Sequence, residues 1–242
     1  PHTGTGDEIF WQTYPKNDDY EFIKKYFRLN IDYKNILLRL KKDEHVAKAM
    51  EACPNLRLLS QDFDQTVLSF IVSSFNSIKS IRTRINKMKR DLSEQIRVDG
   101  RVFYLFPKTE AIADARLDLL TSHSLGYRAK YIKEASNMLL QSNLAGKTAN
   151  FDEESTRSEL LKLPGVGDKV ADCIMVFSLG YDNLTPLDVW GKRVFTNLYG
   201  LDPKMKYSDM RKWLNDHFEG HAAWAGQFLF EWYRTKASLK SR

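Results

Sequence analysis

Cysteine and long apolar segments are scarce in this chain of 242 residues. Its two cysteines, Cys53 and Cys173, are too few for a disulfide scaffold, a four-cysteine zinc site or an iron–sulfur cluster, and they fit a reducing environment. No apolar run approaches the roughly 18 residues of a transmembrane helix, and no signal peptide or repeat is visible. These absences lead us to expect an intracellular protein without a membrane partner.

Positive charge and apolar residues are both plentiful. The 37 lysines and arginines outnumber the 31 aspartates and glutamates, which gives a formal net charge of +6. Hydrophobic residues make up 43% of the chain and aromatic residues 12%, which is enough for a packed core. A basic globular protein commonly binds polyanions, most often nucleic acid, although ordinary solubility charge gives the same balance.

Apolar side chains recur with helical spacing over most of the sequence, which predicts an all-α fold of about eleven helices with short connections. Two segments are exceptions. Residues 7–15 are the best strand candidate, and Asp99-Gly100 forms the turn of a weak β-hairpin. The predicted helices cover YEFIKKYF, YKNILLRL, EHVAKAMEAC, QDFDQTVLSFIVSSFNSI, KSIRTRINKMKRDL, TEAIADARLDLL, RAKYIKEASNMLLQS, EESTRSELLKL, GDKVADCIMVFSL, DVWGKRVFTNLYG, YSDMRKWLNDHF and HAAWAGQFLFEWYRTK.

The segment LPGVG, residues 163–167, joins two of these helices. Gly165 and Gly167 lack a Cβ atom, so the backbone can turn sharply there and approach another surface closely. The turn leads into a helix N-terminus, whose free N–H groups favour an anion, and it suits contact with a backbone phosphate without base readout. A plain helix–helix turn with a glycine cap is the alternative.

Lys169 and Asp188 are the candidate catalytic residues. Lys169 opens the apolar helix after the hairpin, and apolar surroundings favour the neutral amine that attacks an electrophilic carbon to form a Schiff base. Asp188 precedes a helical segment, where a carboxylate caps the helix and can also stabilise developing positive charge on a sugar. A surface lysine on a phosphate and a simple helix cap are the alternative roles.

These segments resemble a known family. LPGVGDKVADC followed by PLDVW is similar to the helix-hairpin-helix, Gly/Pro…Asp motif of base-excision DNA glycosylases. RLLSQDFDQTVLSFIVSSFNSI and LGYRAKYI resemble the 8-oxoguanine DNA glycosylase/AP lyase family, and the resemblance extends from about Tyr20 to the C-terminus. It implies two α-helical subdomains with a DNA-binding cleft between them. It also implies excision of 8-oxoguanine through a lysine Schiff base, followed by β-elimination at the abasic site.

The resemblance implies roles for individual residues. Lys169 would attack C1′ of the flipped nucleotide, and Asp188 would stabilise the reacting sugar. Cys173 and Phe230 match the residues that sandwich the flipped base, with Gln227 beside them. The implied DNA-binding residues are Gly165, Val166, Gly167, Trp190, Phe75, Asn76, the wedge Tyr127, and Arg128, which would read the orphaned base. The implied structural cation, monovalent or divalent, would be held by the carbonyls of Leu161, Leu163 and Val166.

Four positions depart from the family pattern. The family glutamine that contacts the base falls on Gly226, and the second arginine that reads the orphaned cytosine falls on Ser80. Phe75 stands where the family has a gap-filling asparagine, and Trp190 stands where it has a histidine. We therefore expect weaker discrimination among the bases opposite the lesion.

The resemblance also divides the chain. Residues 1–17 would be a remnant of an N-terminal β domain that is otherwise absent from this sequence. Residues 18–60 and 145–242 would form the subdomain with the hairpin and the catalytic residues, and residues 61–144 would form the second. We expect a monomer that binds double-stranded DNA containing an oxidised base and needs no cofactor for catalysis. It would be located with the DNA, in the cytoplasm and nucleoid or in the nucleus.

Other functions stay open at this point. An endonuclease III-like glycosylase for oxidised pyrimidines would use a similar lysine and aspartate, but such enzymes usually carry a four-cysteine cluster, which two cysteines cannot supply. Monofunctional alkylpurine glycosylases of this fold lack the lysine, so Lys169 argues against them. A non-catalytic DNA-binding module would need the hairpin alone, and the combination of Lys169, Asp188 and Cys173 argues against it.

Overall fold

The computed structural model describes residues 11–17, 20–148 and 150–240, with side chains described as far as residue 235. In this part of the chain, 14 α-helices, two short π-helical turns and one two-stranded antiparallel sheet are present. The mostly helical architecture confirms the predicted all-α class. Within the described ranges, no helix combines the length and the apolar character needed to cross a bilayer.

The helices follow the predicted order. They are α1 Tyr20–Tyr26, α2 Tyr33–Leu40, α3 Glu44–Ala52, α4 Phe63–Ser73, α5 Ile78–Leu92, α6 Thr109–Asp114, α7 Leu117–Leu120, α8 Arg128–Ser142, α9 Leu144–Thr148, α10 Glu153–Leu161, α11 Asp168–Ile174, α12 Val189–Tyr199, α13 Tyr207–His217 and α14 Ala222–Lys240. The strands are β1 Gln95–Val98 and β2 Arg101–Tyr104, and the π-helical turns are Thr121–Leu125 and Met175–Leu179.

The predicted β-hairpin is confirmed, whereas the predicted N-terminal strand is not. Asp99 and Gly100 both have positive φ angles, 49° and 75°, as a two-residue hairpin turn requires. Residues 7–10 lie outside the described residues, and residues 11–15 form no strand. The Thr13 hydroxyl accepts a hydrogen bond from the Asn17 backbone N–H and donates to the Asn17 carbonyl, which closes a turn at this point.

Two predicted helices are each divided in the structure, and one further helix was not predicted. The segment TEAIADARLDLL divides into α6 and α7 because the Lys133 ammonium donates to the carbonyls of Ala113 and Ala115 and so satisfies the end of α6. The segment GDKVADCIMVFSL divides into α11 and a π-helical turn that ends at Gly180, which has a φ of 81°. Helix α9 was not predicted.

Helix α4 lies at the centre of the packing. It contacts α5, α8 and α11, while α14 packs on α3, α12 and α13. Buried side chains from all these regions, such as Leu68, Ile132, Ile174 and Trp224, belong to one continuous apolar cluster. The packing of α4 on α11 places the turn between α4 and α5 opposite the hairpin between α10 and α11. The proposed division into subdomains stays a prediction.

Candidate active site

The two glycines of the hairpin between α10 and α11 have different roles. Gly165 has a φ of +83°, and a Cβ atom there would lie 3.0 Å from the Tyr131 side chain and 3.1 Å from that of Ile71. Gly167 has a φ of −109°, is exposed, and would place a Cβ atom in open space. The fold therefore requires glycine at position 165, whereas Gly167 leaves the outer surface of the hairpin open to close approach.

Lys169 lies half-buried in the first turn of α11. Its Nζ atom lies 5.1 Å from the centre of the Phe70 ring on α4, within cation–π range. One helical turn further on, Cys173 is buried. Burial raises the pKa of the Cys173 thiol to about 11, and the neighbouring Lys169 ammonium only partly offsets this effect. The thiol is therefore neutral at physiological pH and offers an apolar, polarizable surface beside the lysine.

Asp188 caps helix α12, as predicted. Its Oδ1 atom accepts a hydrogen bond from the Gly191 backbone N–H at 2.7 Å. Only one carboxylate oxygen makes this bond. The half-buried side chain also lines a cavity together with Lys169. The carboxylate is thus held by the helix N-terminus on the same side of the molecule as the lysine.

Two adjoining cavities meet at Lys169 and Asp188. The first has a volume of about 350 Å³ and is lined by the predicted base-pocket residues Cys173, Gln227 and Phe230. The second has a volume of about 750 Å³ and runs along the hairpin and the turn between α4 and α5. Both catalytic candidates line both cavities, so they stand where an open groove meets a smaller pocket.

Gly226 and Thr185 fit together closely in the wall of the pocket. A Cβ atom at Gly226 would lie 2.5 Å from Thr185 Cγ2, so no larger side chain fits there without a shift. Thr185 is itself held by a hydrogen bond from its hydroxyl to the Ala222 carbonyl. Gln227, one residue further along α14, lines the pocket.

The turn between α4 and α5 presents an aromatic ring to the open groove. Phe75 is 97% exposed and has a φ of 51°, an unusual combination for a large apolar residue. The neighbouring Asn76 donates from its amide to the Val72 carbonyl at 2.8 Å and so closes the end of α4. Phe75 therefore projects outward, whereas Asn76 lies between the two cavities.

Tyr127 and Arg128, at the start of α8, differ in their exposure to solvent. The Tyr127 ring is 56% exposed, whereas Arg128 is 7% exposed. The Arg128 guanidinium donates from two nitrogens to the Ser74 carbonyl and lies 4.3 Å from the centre of the Tyr127 ring. In this structure Arg128 supports the turn that carries Phe75, and its predicted contact with the orphaned base stays a prediction.

The remaining predicted contacts lie around the hairpin. Trp190 is exposed in the first turn of α12, with the Arg193 guanidinium 5.0 Å from the centre of its ring. Of the three carbonyls predicted to hold a cation, that of Leu163 accepts a hydrogen bond from the Val166 N–H at 3.1 Å and keeps a second lone pair. In the described ranges, no group of three or more His, Cys, Asp or Glu side chains could hold a metal.

Sequence reasoning missed several residues of the site. Phe70 and Phe177 stack with ring centres 5.7 Å apart, and both line the pocket. Neither carries a local signal, because each lies within an ordinary apolar helical pattern. Lys192 lines the groove four residues after Asp188, and helical spacing within α12 could have indicated it.

Two protein-family models match the chain. One is described as HhH-GPD superfamily base excision DNA repair protein and matches residues 68–219. The other is described as 8-oxoguanine DNA glycosylase, N-terminal domain, and matches residues 5–67. A curated relative, the N-glycosylase/DNA lyase of Saccharomyces cerevisiae, is 28% identical over 243 residues, which cover 86% of this chain and 65% of the yeast protein. The chain thus spans about 65% of the length of this relative.

Solved structures of 8-oxoguanine glycosylases are also similar to this chain. MBOgg1 in complex with a low-affinity DNA ligand is similar with a TM-score of 0.86 and 31% identity, over 91% of this chain and 76% of that one. The Clostridium acetobutylicum 8-oxoguanine glycosylase/lyase, in complex with double-stranded DNA containing cytosine opposite 8-oxoG, is similar with a TM-score of 0.84 and 28% identity. That match covers 92% of this chain and 78% of the other.

Proposed function

Because this chain belongs to the HhH-GPD superfamily of base excision DNA repair proteins, and within it to the 8-oxoguanine DNA glycosylase family, we propose that it excises 8-oxoguanine from duplex DNA and then nicks the abasic site. The observation that carries the proposal is the position of Lys169 and Asp188, which both line the pocket and the groove. A nucleotide flipped from DNA in the groove would bring its sugar to this boundary and its base into the pocket.

The chemistry requires the lysine to act as a nucleophile. After Lys169 has lost one proton of its ammonium group, the amine forms a bond to C1′ while the bond from C1′ to the base breaks. The leaving base takes the bonding electrons and a proton that the newly bonded nitrogen gives up. The Asp188 carboxylate stabilises the positive charge that develops on the sugar. Opening of the sugar ring gives an imine between Nζ and C1′. Loss of a C2′ proton then expels the 3′ phosphate by β-elimination.

The pocket residues divide the recognition of the base among them. Phe230 stacks on one face of the flipped base, and the neutral Cys173 thiol packs on the other. Gln227 supplies an amide for the hydrogen-bonding edge of the base, at a position displaced from that of the family glutamine. The stacked Phe70 and Phe177 close the apolar wall and exclude water from the reacting carbon.

The groove would bind the DNA backbone. The Gly167 N–H of the hairpin would contact a phosphate, whereas the neighbouring Val166 N–H already donates to the Leu163 carbonyl. Lys192 lines the same groove, and the exposed Trp190 in the first turn of α12 would add a contact to the backbone. A cation held by the carbonyls of Leu161, Leu163 and Val166 would add positive charge toward the same phosphate. Phe75 and Tyr127 would enter the base stack beside the flipped nucleotide. The chain would act as a monomer on cellular DNA.

A lesion panel tests this function. We expect strand cleavage of duplexes that contain 8-oxoguanine and little cleavage of duplexes that contain oxidised pyrimidines. The opposite result would support an endonuclease III-like specificity. Binding of both duplexes without cleavage of either would support a non-catalytic DNA-binding module.

The same panel tests the choice of opposite base. With Ser80 in place of an arginine, and with the apolar Phe75 in the turn, we expect single-turnover rates opposite cytosine and opposite adenine to differ by less than about tenfold. Ser80→Arg should raise the preference for cytosine by about tenfold, because one bidentate base contact contributes ~1–3 kcal/mol. Thr83→Arg adds the same charge one turn along α5 and is the control. A strong cytosine preference in the unmodified protein would contradict the expectation.

The hairpin contact is tested at Gly167, where a side chain costs the fold little. Gly167→Val should weaken binding to lesion DNA and undamaged DNA alike, by about 10-fold to 100-fold, because it removes a backbone contact to a charged phosphate. Fluorescence anisotropy with both duplexes measures this. Gly165→Val is expected to lower the melting temperature as well, since φ is positive there. Unchanged binding by the Gly167 variant would show that the hairpin does not contact phosphate.

A further inference from the structure

One tyrosine hydroxyl connects the helix that carries the lysine to the segment that carries the aspartate. The Tyr207 hydroxyl, at the start of α13, donates a hydrogen bond to Oδ2 of Asp172. The same oxygen accepts a hydrogen bond from the Leu187 backbone N–H at 3.3 Å. Asp172 lies three residues after Lys169 on α11, and Leu187 directly precedes Asp188. Two hydrogen bonds thus link the Asp172 side chain, on the helix of Lys169, to the backbone N–H of Leu187, the residue before Asp188.

The Asp172 carboxylate is held in place because it is buried and paired with arginine. The side chain is wholly buried, and Oδ1 accepts a hydrogen bond from Nη2 of Arg157 on α10. Arg211 on α13 lies 3.7 Å from the same oxygen. A buried carboxylate persists only when it is paired and hydrogen-bonded in this way, and removing one partner is costly.

The side of α11 that carries Asp168 and Asp172 lies next to the side that carries Lys169 and Cys173. Arg157 also reaches Asp168 at 3.6 Å, so it holds two residues one helical turn apart. Lys169 and Cys173 each follow one of these residues and face the pocket. Rotation of α11 about its axis would break the contacts of Arg157 and Tyr207, and it would also move the lysine away from the aspartate.

The phenol keeps its donor role over the range of an activity assay. Burial raises the pKa of Tyr207 above its ordinary value, although the Leu187 N–H opposes this effect. The hydroxyl therefore stays protonated, donates to the carboxylate and accepts from the N–H. Phenylalanine at this position would remove the hydrogen bond to the Asp172 carboxylate and the hydrogen bond from the Leu187 N–H.

We propose that Tyr207 and Asp172 are positioning residues that hold Lys169 and Asp188 at a fixed separation across the pocket. The inference rests on the proposed function, because it concerns the geometry of that reaction. Base release needs the lysine at C1′ and the aspartate beside the developing charge at the same time. Imine formation on a preformed abasic site needs only the lysine, because the aldehyde is already electrophilic. Loss of the bridge should therefore affect the first reaction far more than the second.

The test uses Tyr207→Phe in the full chain, with two readouts. We expect the single-turnover rate of 8-oxoguanine release to fall by about tenfold or more, since small displacements of reacting groups cost up to ~10²-fold. The rate of borohydride trapping on DNA with a preformed abasic site should change by less than about twofold. The dissociation constant for lesion DNA should also be unchanged. Tyr233→Phe, which removes a hydroxyl that accepts a hydrogen bond from Asn197, is the matched control.

Two outcomes would overturn the inference. Equal losses in base release and in abasic-site trapping would show that the tyrosine only supports the fold. Base release at the wild-type rate would show that the bridge is not needed. Because the unmodified protein is assayed in parallel, a failure of the proposed function would appear as absence of release and trapping in that protein. Failure of the positioning role would appear only in the variant.

Discussion

Replacement of Lys169 by glutamine should reduce base release by about 10⁴-fold or more, while binding of lesion DNA stays largely intact. Glutamine has a comparable length but no nucleophilic amine, so the bond to C1′ cannot form. The hairpin, the groove and the pocket are unchanged, so the affinity for DNA should be retained. Single-turnover release of 8-oxoguanine and anisotropy with the same duplex measure the two effects separately.

A matched control distinguishes the nucleophile from general loss of positive charge. Lys48→Gln removes a lysine on α3 that is exposed, paired with Glu44 at 3.2 Å and absent from both cavities. This variant should release the base at the unmodified rate. If Lys169→Gln did the same, the lysine would be only a phosphate contact and the covalent mechanism would be wrong.

Replacement of Asp188 by asparagine should slow base release by about 10²-fold to 10³-fold, since a group that acts on developing charge is lost. Folding stability should fall little, because asparagine can accept the hydrogen bond from the Gly191 N–H and cap α12. Asp188→Ala should lose the same activity and, in addition, about 1 kcal/mol of unfolding free energy.

The two variants at position 188 separate chemistry from capping. Single-turnover rates report the first, and urea denaturation with a common m-value reports the second. If the asparagine variant kept the unmodified rate, Asp188 would be a structural cap alone. If both variants were equally destabilised, the cap would depend on the charge rather than on the hydrogen bond.

Much of the fold was predictable because local patterns and tertiary packing agree. The predicted segment RAKYIKEASNMLLQS coincides with helix α8, Arg128–Ser142, and the Asp99-Gly100 turn joins β1 to β2. The break between α6 and α7 was not predictable, because it depends on Lys133, whose ammonium reaches the end of α6 from another helix. The sequence around the break does not indicate that a lysine from another helix will bind there.

The site was predictable only where its residues are close in sequence or match a family motif. Lys169 and Cys173 share one helix, and Asp188 precedes another, so both spacing and motif indicated them. Phe70 and Tyr207 come from distant segments that packing brings to the site. An aromatic residue in an apolar helix is typical of any core, so its sequence context gave no sign of the pocket.

The structure explains in physical terms why position 226 departs from the family pattern, and it shows how Arg128 and Phe75 are arranged. Position 226 is glycine because Thr185 fills the space that a side chain would need. Gln227, one residue further on, lines the pocket, and its contact with the base stays a prediction. Arg128 matches the family motif, yet its guanidinium is bonded to the Ser74 carbonyl beneath the exposed Phe75. The turn between α4 and α5 thus exposes the apolar ring of Phe75, whereas recognition of the opposite base would require polar side chains there.

Borohydride trapping is the most direct test of the central proposal, the imine between Lys169 and C1′. Incubation of the protein with 8-oxoguanine duplex and sodium borohydride should give a stable protein–DNA crosslink during turnover. Proteolysis and mass spectrometry should then place the modified residue at Lys169, in the peptide that follows the LPGVG hairpin. Release of 8-oxoguanine without any crosslink, or a crosslink to a different residue, would contradict the proposed mechanism.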